Sequence, residues 1–351
     1  MNVKFNFYFS DEIEHGFYSA KYFLKTCKII KNEMPGHIVK MQFFQRKNNV
    51  MLCGISEVIA LIKKIVGNKV IIFSLSDGDI IKANEPVLKI IGKYEDFGFL
   101  ESVIDGILSR RTRIATNVYK IKKLFKNKNI SLFSMADRQD DYLTQIGDGY
   151  ASYIAGIDKV STDAQGFLWN KNGSGTMPHA LIQMCRGDII KAVELYIKTF
   201  PKEKVVALVD YNNNVIEDSL LVAKKFSHKL YAVRVDTSKT LIDKYFENKN
   251  IDGFDPHGVC KELIIALRKE LDKHGFKDIK IIVSSGFDYK KIKKWVELKI
   301  PVDIYGVGSA LISDNRIDFT GDLVSIDGIK EAKAGRYEVE SKRLKKIEFD
   351  L

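Results

Sequence analysis

The sequence predicts an α/β fold, with small sheets near the N-terminus and a parallel sheet from about residue 130 onward. Two observations predict the parallel sheet. Short apolar runs alternate with stretches of helical periodicity, and the runs lack polar alternation, which is typical of strands covered on both faces. A series of strand–helix units forms a parallel sheet that is either doubly wound or closed into a barrel.

The region before residue 130 contains short apolar segments separated by turn signals. We predict strands at HIVKMQFF (37–44), VIIFSL (70–75) and PVLKIIG (86–92), with Asp77-Gly78 as a turn dipeptide between the last two. ISEVIALIKKIV (55–66) has helical spacing instead. Apolar residues at i, i+3, i+4 and i+7 predict one long helix over 100–125.

The region after residue 130 supplies the strands of the parallel sheet. They are predicted at ISLFSM (130–135), KVST (159–162), VVALVD (205–210), YAVRVD (231–236), IKIIVSS (279–285) and VDIYGVGS (302–309). Helices are predicted between them at DSLLVAKKFSH (218–228), GVCKELIIALRKELDKHG (258–275) and DYKKIKKWVELK (288–299).

Composition limits the class of protein. The chain has 351 residues, of which 45% are hydrophobic and only 6 are proline, so it can bury a large core. Its 4 cysteines include no C-x-x-C pair, which indicates a reduced protein without a disulfide framework. The N-terminus lacks a clean apolar leader, and no run of about 18 apolar residues occurs. We expect a soluble, cytoplasmic protein that does not associate with membranes.

The formal net charge of +11 raises the question of nucleic-acid binding. Lysines are spread through the chain and mixed with acidic residues, and the densest cluster, YKIKKLFKNKN (119–129), has no neighbouring aromatic platform. We therefore interpret most of the charge as a solvated surface and expect no nucleic-acid partner. A nucleic-acid binder would show steeply salt-dependent binding.

Polar residues follow almost every predicted strand of the parallel sheet. Ligands bind at the carboxyl ends of the strands in such folds. A single Asp, Ser or Thr there is explained equally well as a helix cap. Arg234 and Asp236 are harder to explain as caps, because residues two apart on a strand point to the same face. The turns SSGF (284–287) and GVGS (306–309) expose backbone N–H groups before a helix, which favours a phosphate-binding site.

The stretch NGSGTMPHA (172–180) is predicted to be a glycine-rich loop that opens into a helix. Gly173 and Gly175 allow positive φ, and Pro178 suits the first helical position, where its missing N–H costs nothing. Thr176 and His179 would then lie near the positive end of the helix. His179 has no second His or Cys at metal-binding spacing, which argues against a metal site.

An ordered set of motifs resembles the nicotinate phosphoribosyltransferase family in its shorter, archaeal-like form. The set covers about residues 10 to 335 and comprises SDGDIIKANEPVLKIIG, LESVIDGILSRRTRIAT, GYASYIAGIDKVSTDA, GSGTMPHAL, VVALVDYNN, VRVDTS, VSSGF and PVDIYGVGS. The resemblance implies an N-terminal α+β sheet domain (1–115) followed by an irregular α/β barrel of fewer than eight strands (116–321). It also implies that the tail (322–351) packs back on the first domain.

The resemblance implies a reaction as well. Nicotinate and phosphoribosyl pyrophosphate give nicotinate mononucleotide and pyrophosphate in NAD salvage, with Mg²⁺ as cofactor and ATP hydrolysed as co-substrate. His179 matches the histidine that ATP phosphorylates, and Asp210 and Asp236 match the acidic residues beside the ribose and magnesium. As a general base, the histidine would have little to do, because the pyridine nitrogen carries no proton to remove.

Substrate-binding positions follow from the same resemblance. Tyr22 matches a tyrosine that stacks on the pyridine ring, and Arg138 and Arg234 match arginines around the carboxylate and pyrophosphate. The remaining substrate-binding predictions are Gly175 and Thr176 in the loop before His179, and Ser285, Gly286, Gly306, Gly308 and Ser309 around the 5′-phosphate. We also expect a homodimer, or an oligomer built from dimers, in which Arg110, Arg111 or Arg113 reaches the pyrophosphate of the partner subunit.

The chain departs from the family pattern at two places that bear on base recognition. Two arginines usually end the first barrel strand, but this chain has Asp137-Arg138. A segment usually ending Thr-Asp-x-Tyr reads Ser-Ala-Lys-Tyr at 19–22. Some relatives carry a cysteine-rich C-terminus, whereas no cysteine follows Cys260 here, so we expect no structural zinc.

Two other functions remain open at this point. A quinolinate phosphoribosyltransferase has the same fold and adds a decarboxylation, but it lacks the Gly-Thr-Met-x-His loop found at 175–179. A non-catalytic nucleotide-binding regulator is the alternative from a different class. The presence of His179, Asp210, Asp236 and both arginines argues against it.

Overall fold

The computed structural model describes residues 5–175 and 177–348. The predicted mixed α/β fold is confirmed. The N-terminal region contains four α-helices and five strands among these residues. The helices are α1 (Lys21–Glu33), α2 (Ile55–Ile65), α3 (Tyr94–Phe97) and α4 (Glu101–Leu124), and the strands are β1 (Ile38–Gln45), β2 (Val50–Met51), β3 (Val70–Ser74), β4 (Ile80–Ile81) and β5 (Leu88–Lys93).

The middle of the chain alternates strands and helices as predicted. Its strands are β6 (Ser131–Ser134), β7 (Lys159–Val160), β8 (Val205–Leu208), β9 (Leu230–Val235), β10 (Lys280–Val283) and β11 (Ile304–Val307). Its helices are α5 (Gln145–Ile154), α6 (Asp163–Gly166), α7 (His179–Met184), α8 (Ile189–Thr199), α9 (Val215–Phe226), α10 (Lys261–Lys273), α11 (Tyr289–Glu297) and α12 (Ser309–Ser313). Three strands follow, β12 (Phe319–Ile326), β13 (Ile329–Lys330) and β14 (Lys345–Ile347).

The first large sheet has the strand order β13-β12-β1-β5-β3-β14 and is antiparallel. Strands from both ends of the described chain therefore share one sheet, because β12 pairs with β1 and β14 pairs with β3. A buried ion pair adds to this link: Lys89 Nζ on β5 lies 2.7 Å from an oxygen of Glu338. The strands β2 and β4 form a separate small pair, so the turn at Asp77-Gly78 separates strands of different sheets.

The second large sheet is parallel and contains six strands in the order β7-β6-β11-β10-β9-β8. It is curled into a half-barrel, which confirms the expectation of fewer than eight strands. Its strands are covered on both faces, since alternate residues enter a large outer core and a small inner one. The strands β7 and β8 lie at opposite edges, so the chain between them, 161–204, must cross from one edge of the sheet to the other.

The long helix α4 connects the two sheets. Its first half places Ile104 and Leu108 in the core of the antiparallel sheet, and its second half places Ile114 and Val118 in the core of the parallel sheet. Among the described residues, no helix is long and apolar enough to cross a membrane.

Candidate active site

The carboxyl ends of the parallel strands surround a cavity of about 640 Å³. Most of the predicted site residues line it. They are Arg138, Gly175, His179, Arg234, Asp236, Ser285, Gly286, Gly306, Gly308 and Ser309.

Strand alternation explains why these residues meet. The inner core of the half-barrel is formed by Phe133, Ala232, Ile282 and Ile304, one from each of four neighbouring strands. Side chains two positions further along a strand point to the same face. The cavity residues follow that rule above the apolar layer: Met135 and Asp137 after β6, Arg234 at the end of β9 and Asp236 just after it, Ser284 and Gly286 after β10, and Gly306 on β11 with Gly308 just after it.

Arg234 is the most buried permanent cation of the cavity, and its charge is only partly balanced. Its Nε is buried and has no hydrogen-bond partner among the described residues, and its Nη2 lies 3.5 Å from the carbonyl oxygen of Met177. Burial lowers the pKa of Arg234, and the nearby charge of Arg138 acts in the same direction, whereas Asp236 and Asp210 oppose it. A cation held in this way favours binding of an anion.

His179 and Asp210 form the second charged unit of the site. His179 Nε2 lies 3.0 Å from Asp210 Oδ2, and the side chains are 44% and 6% exposed, respectively. Asp210 is not among the residues that line the cavity, but it contacts His179, which does, and its charge acts on Arg234. Its Oδ1 is buried without a partner among the described residues, and burial raises the pKa of its carboxyl. When Nε2 carries the proton that bonds to Asp210, the lone pair of Nδ1 is free.

The loop before His179 reaches its position for reasons that differ from the prediction. Neither Gly173 nor Gly175 has positive φ, so that expectation is wrong. Gly173 is required by close packing, because a Cβ there would lie 2.7 Å from the backbone of Thr162, whereas Gly175 borders open space. Helix α7 begins at His179, one residue later than predicted, since Pro178 has an extended backbone.

The two glycine turns of the predicted phosphate site also differ from each other. Ser285 and Gly286 both have positive φ, near 71° and 72°, and the space around Gly286 is open. Gly308 has negative φ instead, and a Cβ there would lie 2.8 Å from the side-chain nitrogen of Gln139. Gly308 has no side chain that could cap α12, but its carbonyl oxygen accepts a hydrogen bond of 3.0 Å from the N–H of Leu311.

Some predicted residues lie elsewhere. Tyr22, in the first turn of α1, is 64% exposed and does not line the cavity. Arg110 is bound through two nitrogens by Asp148, at 2.8 and 2.9 Å, and also contacts Asp140. Arg111 pairs with Glu57 at 2.7 and 3.0 Å. The Nε of Arg113 is buried without a partner among the described residues.

Thr176, the remaining substrate-binding prediction, lies outside the described residues. Several residues that were not predicted individually as substrate-binding positions complete the cavity, although Ser284 belongs to the predicted SSGF turn. Ser284 donates a hydrogen bond of 2.7 Å to Asp236, and Ser161 donates one of 2.9 Å to Asp137. Both serines directly follow apolar strands, and this position in the sequence is the signal that could have identified them as cavity residues. Gln139, Asp288 and Asp314 gave no signal beyond their polarity.

Known proteins share this architecture. Residues 21–112 match the family described as "Quinolinate phosphoribosyl transferase, N-terminal domain". A nicotinate-nucleotide pyrophosphorylase from Pyrococcus furiosus superposes with a TM-score of 0.79 at 31% identity, covering 95% of this chain and 82% of that one. Human nicotinic acid phosphoribosyltransferase superposes with a TM-score of 0.66 at 14% identity, covering 90% of this chain and 76% of that one.

Curated relatives agree with these likenesses. A nicotinate phosphoribosyltransferase from Bacillus subtilis is 26% identical over 262 residues, covering 74% of this chain and 49% of its own length. One from Mycobacterium tuberculosis is 22% identical over 269 residues, covering 75% of this chain and 53% of its own length. The chain thus spans about half the length of these relatives.

The half-barrel with a charged cavity at its strand ends, together with these likenesses, places the chain in the phosphoribosyltransferase class of folds. Within that class, the chain belongs to the family of the Pyrococcus furiosus nicotinate-nucleotide pyrophosphorylase, and it is similar to the curated nicotinate phosphoribosyltransferases.

Proposed function

We propose that the protein joins nicotinate to phosphoribosyl pyrophosphate, forming nicotinate mononucleotide and pyrophosphate. The observation that carries this proposal is the cavity itself, which brings Arg138, Arg234 and Asp236 together with the Ser285-Gly286 turn. The two guanidinium groups suit a carboxylate and a pyrophosphate, since arginine binds both through a planar pair of nitrogens. The turn offers room for a 5′-phosphate.

The reaction requires charge stabilisation more than proton transfer. The nitrogen of the pyridine ring forms a bond to C1 of the ribose while the bond from C1 to the pyrophosphate oxygen breaks. Positive charge builds on the sugar ring, and Asp236, fixed by Ser284, is available to stabilise it. Negative charge builds on the leaving group, and Arg234 is available to stabilise that.

Magnesium fits the acidic residues of the site. Asp210 keeps an unpartnered buried oxygen, and Asp236 lines the cavity with only one oxygen engaged by Ser284. Mg²⁺ binds through one or two carboxylates together with substrate phosphates and water. Among the described residues, no group of three or more acidic, histidine or cysteine side chains could hold a metal ion by itself. When bound, the ion would neutralise charge on the pyrophosphate.

We further propose that ATP phosphorylates His179 and that its hydrolysis strengthens substrate binding. The pairing of Nε2 with Asp210 supports this role, because it leaves Nδ1 as the nucleophile. In that step the bond from Nδ1 to the γ-phosphorus forms and ADP leaves. The phosphorylated ring would add negative charge close to the site proposed for magnesium.

A homodimer belongs to the same proposal. Tyr22 lies outside its own cavity and is exposed, so a stacking role for it requires a second copy of the chain. Arg113 is the best of the three helix α4 arginines for a partner's pyrophosphate, since Arg110 and Arg111 are already paired with carboxylates. Sedimentation of the active enzyme tests this, and a fully active monomer would contradict it.

The alternatives are less well supported. A quinolinate-using enzyme would fit the family match to residues 21–112, but the curated relatives in comparison are named for nicotinate. The decisive experiment is an assay of the purified chain with phosphoribosyl pyrophosphate, Mg²⁺ and each of nicotinate, nicotinamide and quinolinate. We expect nicotinate mononucleotide to form, with nicotinate used far better than nicotinamide because an arginine without a carboxylate partner is costly to bury. No product from any base would refute the proposal, and preferred use of quinolinate would establish the rival.

A further inference from the structure

We propose that Asp137 sets the charge of the base that the cavity accepts: one carboxylate on the ring is admitted and a second is rejected. This inference rests on the proposed function and concerns a residue at which the chain departs from the family pattern. Asp137 lines the same cavity as Arg138 and Arg234 and follows β6, next to Arg138 in sequence.

The side chain of Asp137 is held in place. Ser161 Oγ donates to Asp137 Oδ1 at 2.9 Å. The backbone is fixed as well, because Gln145 Nε2 donates to the carbonyl oxygen of Asp137 at 2.9 Å, and Thr162 Oγ1 donates to Gln145 Oε1 at 2.7 Å. The carboxylate therefore cannot move away from an incoming anion without breaking hydrogen bonds.

The arginines of the cavity leave one guanidinium group, that of Arg138, for the carboxylate of the base, because Arg234 serves the pyrophosphate in the proposed reaction. Arg234 already lies near the carboxylates of Asp236 and Asp210. Arg138 has no carboxylate partner in residues 5–175 and 177–348, so its guanidinium is free to bind one. A ring with two adjacent carboxylates would bring its second charge toward a cavity that already contains Asp137, Asp236 and Asp288.

Like charges placed together at a binding site reduce affinity strongly. We expect the wild-type protein to bind a pyridine monocarboxylate at least about 100-fold more tightly than the dicarboxylate, a ratio within the range that unpaired or opposed charges produce. Neutralising Asp137 should raise affinity for the dicarboxylate much more than affinity for the monocarboxylate. A residue that only maintains the fold would change both alike.

The test is a series of three ligands of similar shape that carry zero, one and two negative charges: nicotinamide, nicotinate and quinolinate. Their binding to the full chain is measured by calorimetry in the presence of Mg²⁺ and pyrophosphate, for wild type, Asp137→Asn and Asp137→Arg. Asp318→Asn is the control, because Asp318 is an exposed carboxylate whose ion pair is with the exposed Arg316. Thermal unfolding of each variant verifies that it folds.

We expect the preference for nicotinate over quinolinate to fall by at least about tenfold in Asp137→Asn, to fall further in Asp137→Arg, and to stay unchanged in Asp318→Asn. An unchanged ratio in Asp137→Asn, or an equal rise in affinity for all three ligands, would overturn the inference. If Asp137→Asn does not fold, Ser161→Ala releases the carboxylate instead and must lower the same ratio. Because binding is measured without turnover, failure of the inference is distinguishable from failure of the proposed reaction, which the product assay decides.

Discussion

The arginines of the cavity and the arginines of helix α4 differ in how their charges are balanced. Arg110 and Arg111 are enclosed by carboxylates of the same chain, with Asp148 contacting both and Glu57 contacting Arg111. Arg234 keeps a buried nitrogen without a partner, and Arg138 has no carboxylate partner among the described residues. Arg110 and Arg111 therefore join α4 to α5 and α2. Arg138 and Arg234 instead keep nitrogens that can donate hydrogen bonds to a ligand.

This difference has a physical basis. A buried charge that lacks a partner is costly, so it persists in a folded protein only where something else stabilises it. A ligand of opposite charge can do so at a binding site. The comparison predicts that substitutions on α4 reduce stability and that substitutions in the cavity reduce activity.

The largest expected effect is a loss of stability when Arg110 and Arg111 lose a carboxylate partner. Asp148→Ala leaves Arg110 and Arg111 with weakened partners, and we expect the free energy of unfolding to fall by about 3–4 kcal/mol, as for other broken buried ion pairs. Asp148 is only 4% exposed, so water cannot replace it fully. Urea denaturation measures the change. Asp318→Ala, which removes an exposed carboxylate, should change stability by less than about 0.5 kcal/mol.

If Asp148→Ala and Asp318→Ala were equally stable, the α4 arginines would not be structural. Their charges would then be as available to a ligand as those of the cavity, and the contrast between the two regions would fail.

The second effect concerns the cavity. Arg234→Met removes a partly balanced cation, and we expect kcat/KM for nucleotide formation to fall about 100-fold or more while unfolding changes by less than about 1 kcal/mol. The expected change in stability is small because two effects oppose each other. Removing the charge removes the cost of burying it, but it also removes the attraction to Asp236 and Asp210. Steady-state kinetics and urea denaturation are measured on the same preparation. Arg316→Met, at an exposed arginine, serves as the control.

The third prediction concerns the dependence of the reaction on ATP and tests His179, which lies in the cavity. We expect His179→Ala to retain some transfer without ATP but to lose ATP stimulation, a loss of about tenfold if the coupling is of ordinary size. It should also lose ATPase turnover and labelling by γ-labelled ATP, detected on an alkaline gel that preserves acid-labile phosphate.

His257→Ala is a matched control, because His257 also pairs with an aspartate, at 2.7 Å, and is 47% exposed. Equal labelling of wild type and His179→Ala, or undiminished ATP stimulation, would show that His179 is not the reagent.

The smallest expected effect is on the pH dependence of stability, and it comes from two carboxyl groups outside the cavity. It tests whether a buried group without a charge partner always marks a ligand site. Burial raises the pKa of Glu101 to about 8 and that of Asp105 to about 7, and both lie in α4 near the antiparallel sheet, away from the cavity. A carboxyl whose pKa is raised by folding lowers stability as pH rises from its unfolded pKa to its folded pKa, because the unfolded state loses the proton first. The stability of the wild type relative to Glu101→Gln should therefore fall as pH rises from the ordinary pKa of 4.5 to about 8, and then level off.

Because Glu101 is partly open to solvent, we expect a difference of only about 1–2 kcal/mol above pH 8. Urea denaturation of the wild type and Glu101→Gln between pH 5 and pH 9 measures it, with the exposed Glu297→Gln as control. A difference that does not depend on pH would show that Glu101 is already ionised at pH 5.

The order of strands and helices could be predicted because it depends on local pattern. The continuous apolar runs at β8 to β11 lie between layers on both faces, and the helical spacing of 100–125 corresponds to α4. The rule that ligands meet the carboxyl ends of parallel strands also placed Arg234, Asp236 and the Ser285-Gly286 turn in one cavity. Each of these inferences needed only the neighbours of a residue in sequence.

Contacts between distant segments were decided by the tertiary structure alone. Pairing of Asp210 with His179 joins residues on different elements, and the bond from Ser161 to Asp137 links two strands. The reason for Gly173 is the backbone of Thr162, which no local conformational preference indicates. Arg110 and Arg138 look equally available in the sequence. Only folding brings Asp148 against Arg110 and leaves Arg138 facing the cavity, because whether a charge is balanced depends on which distant segments pack around it.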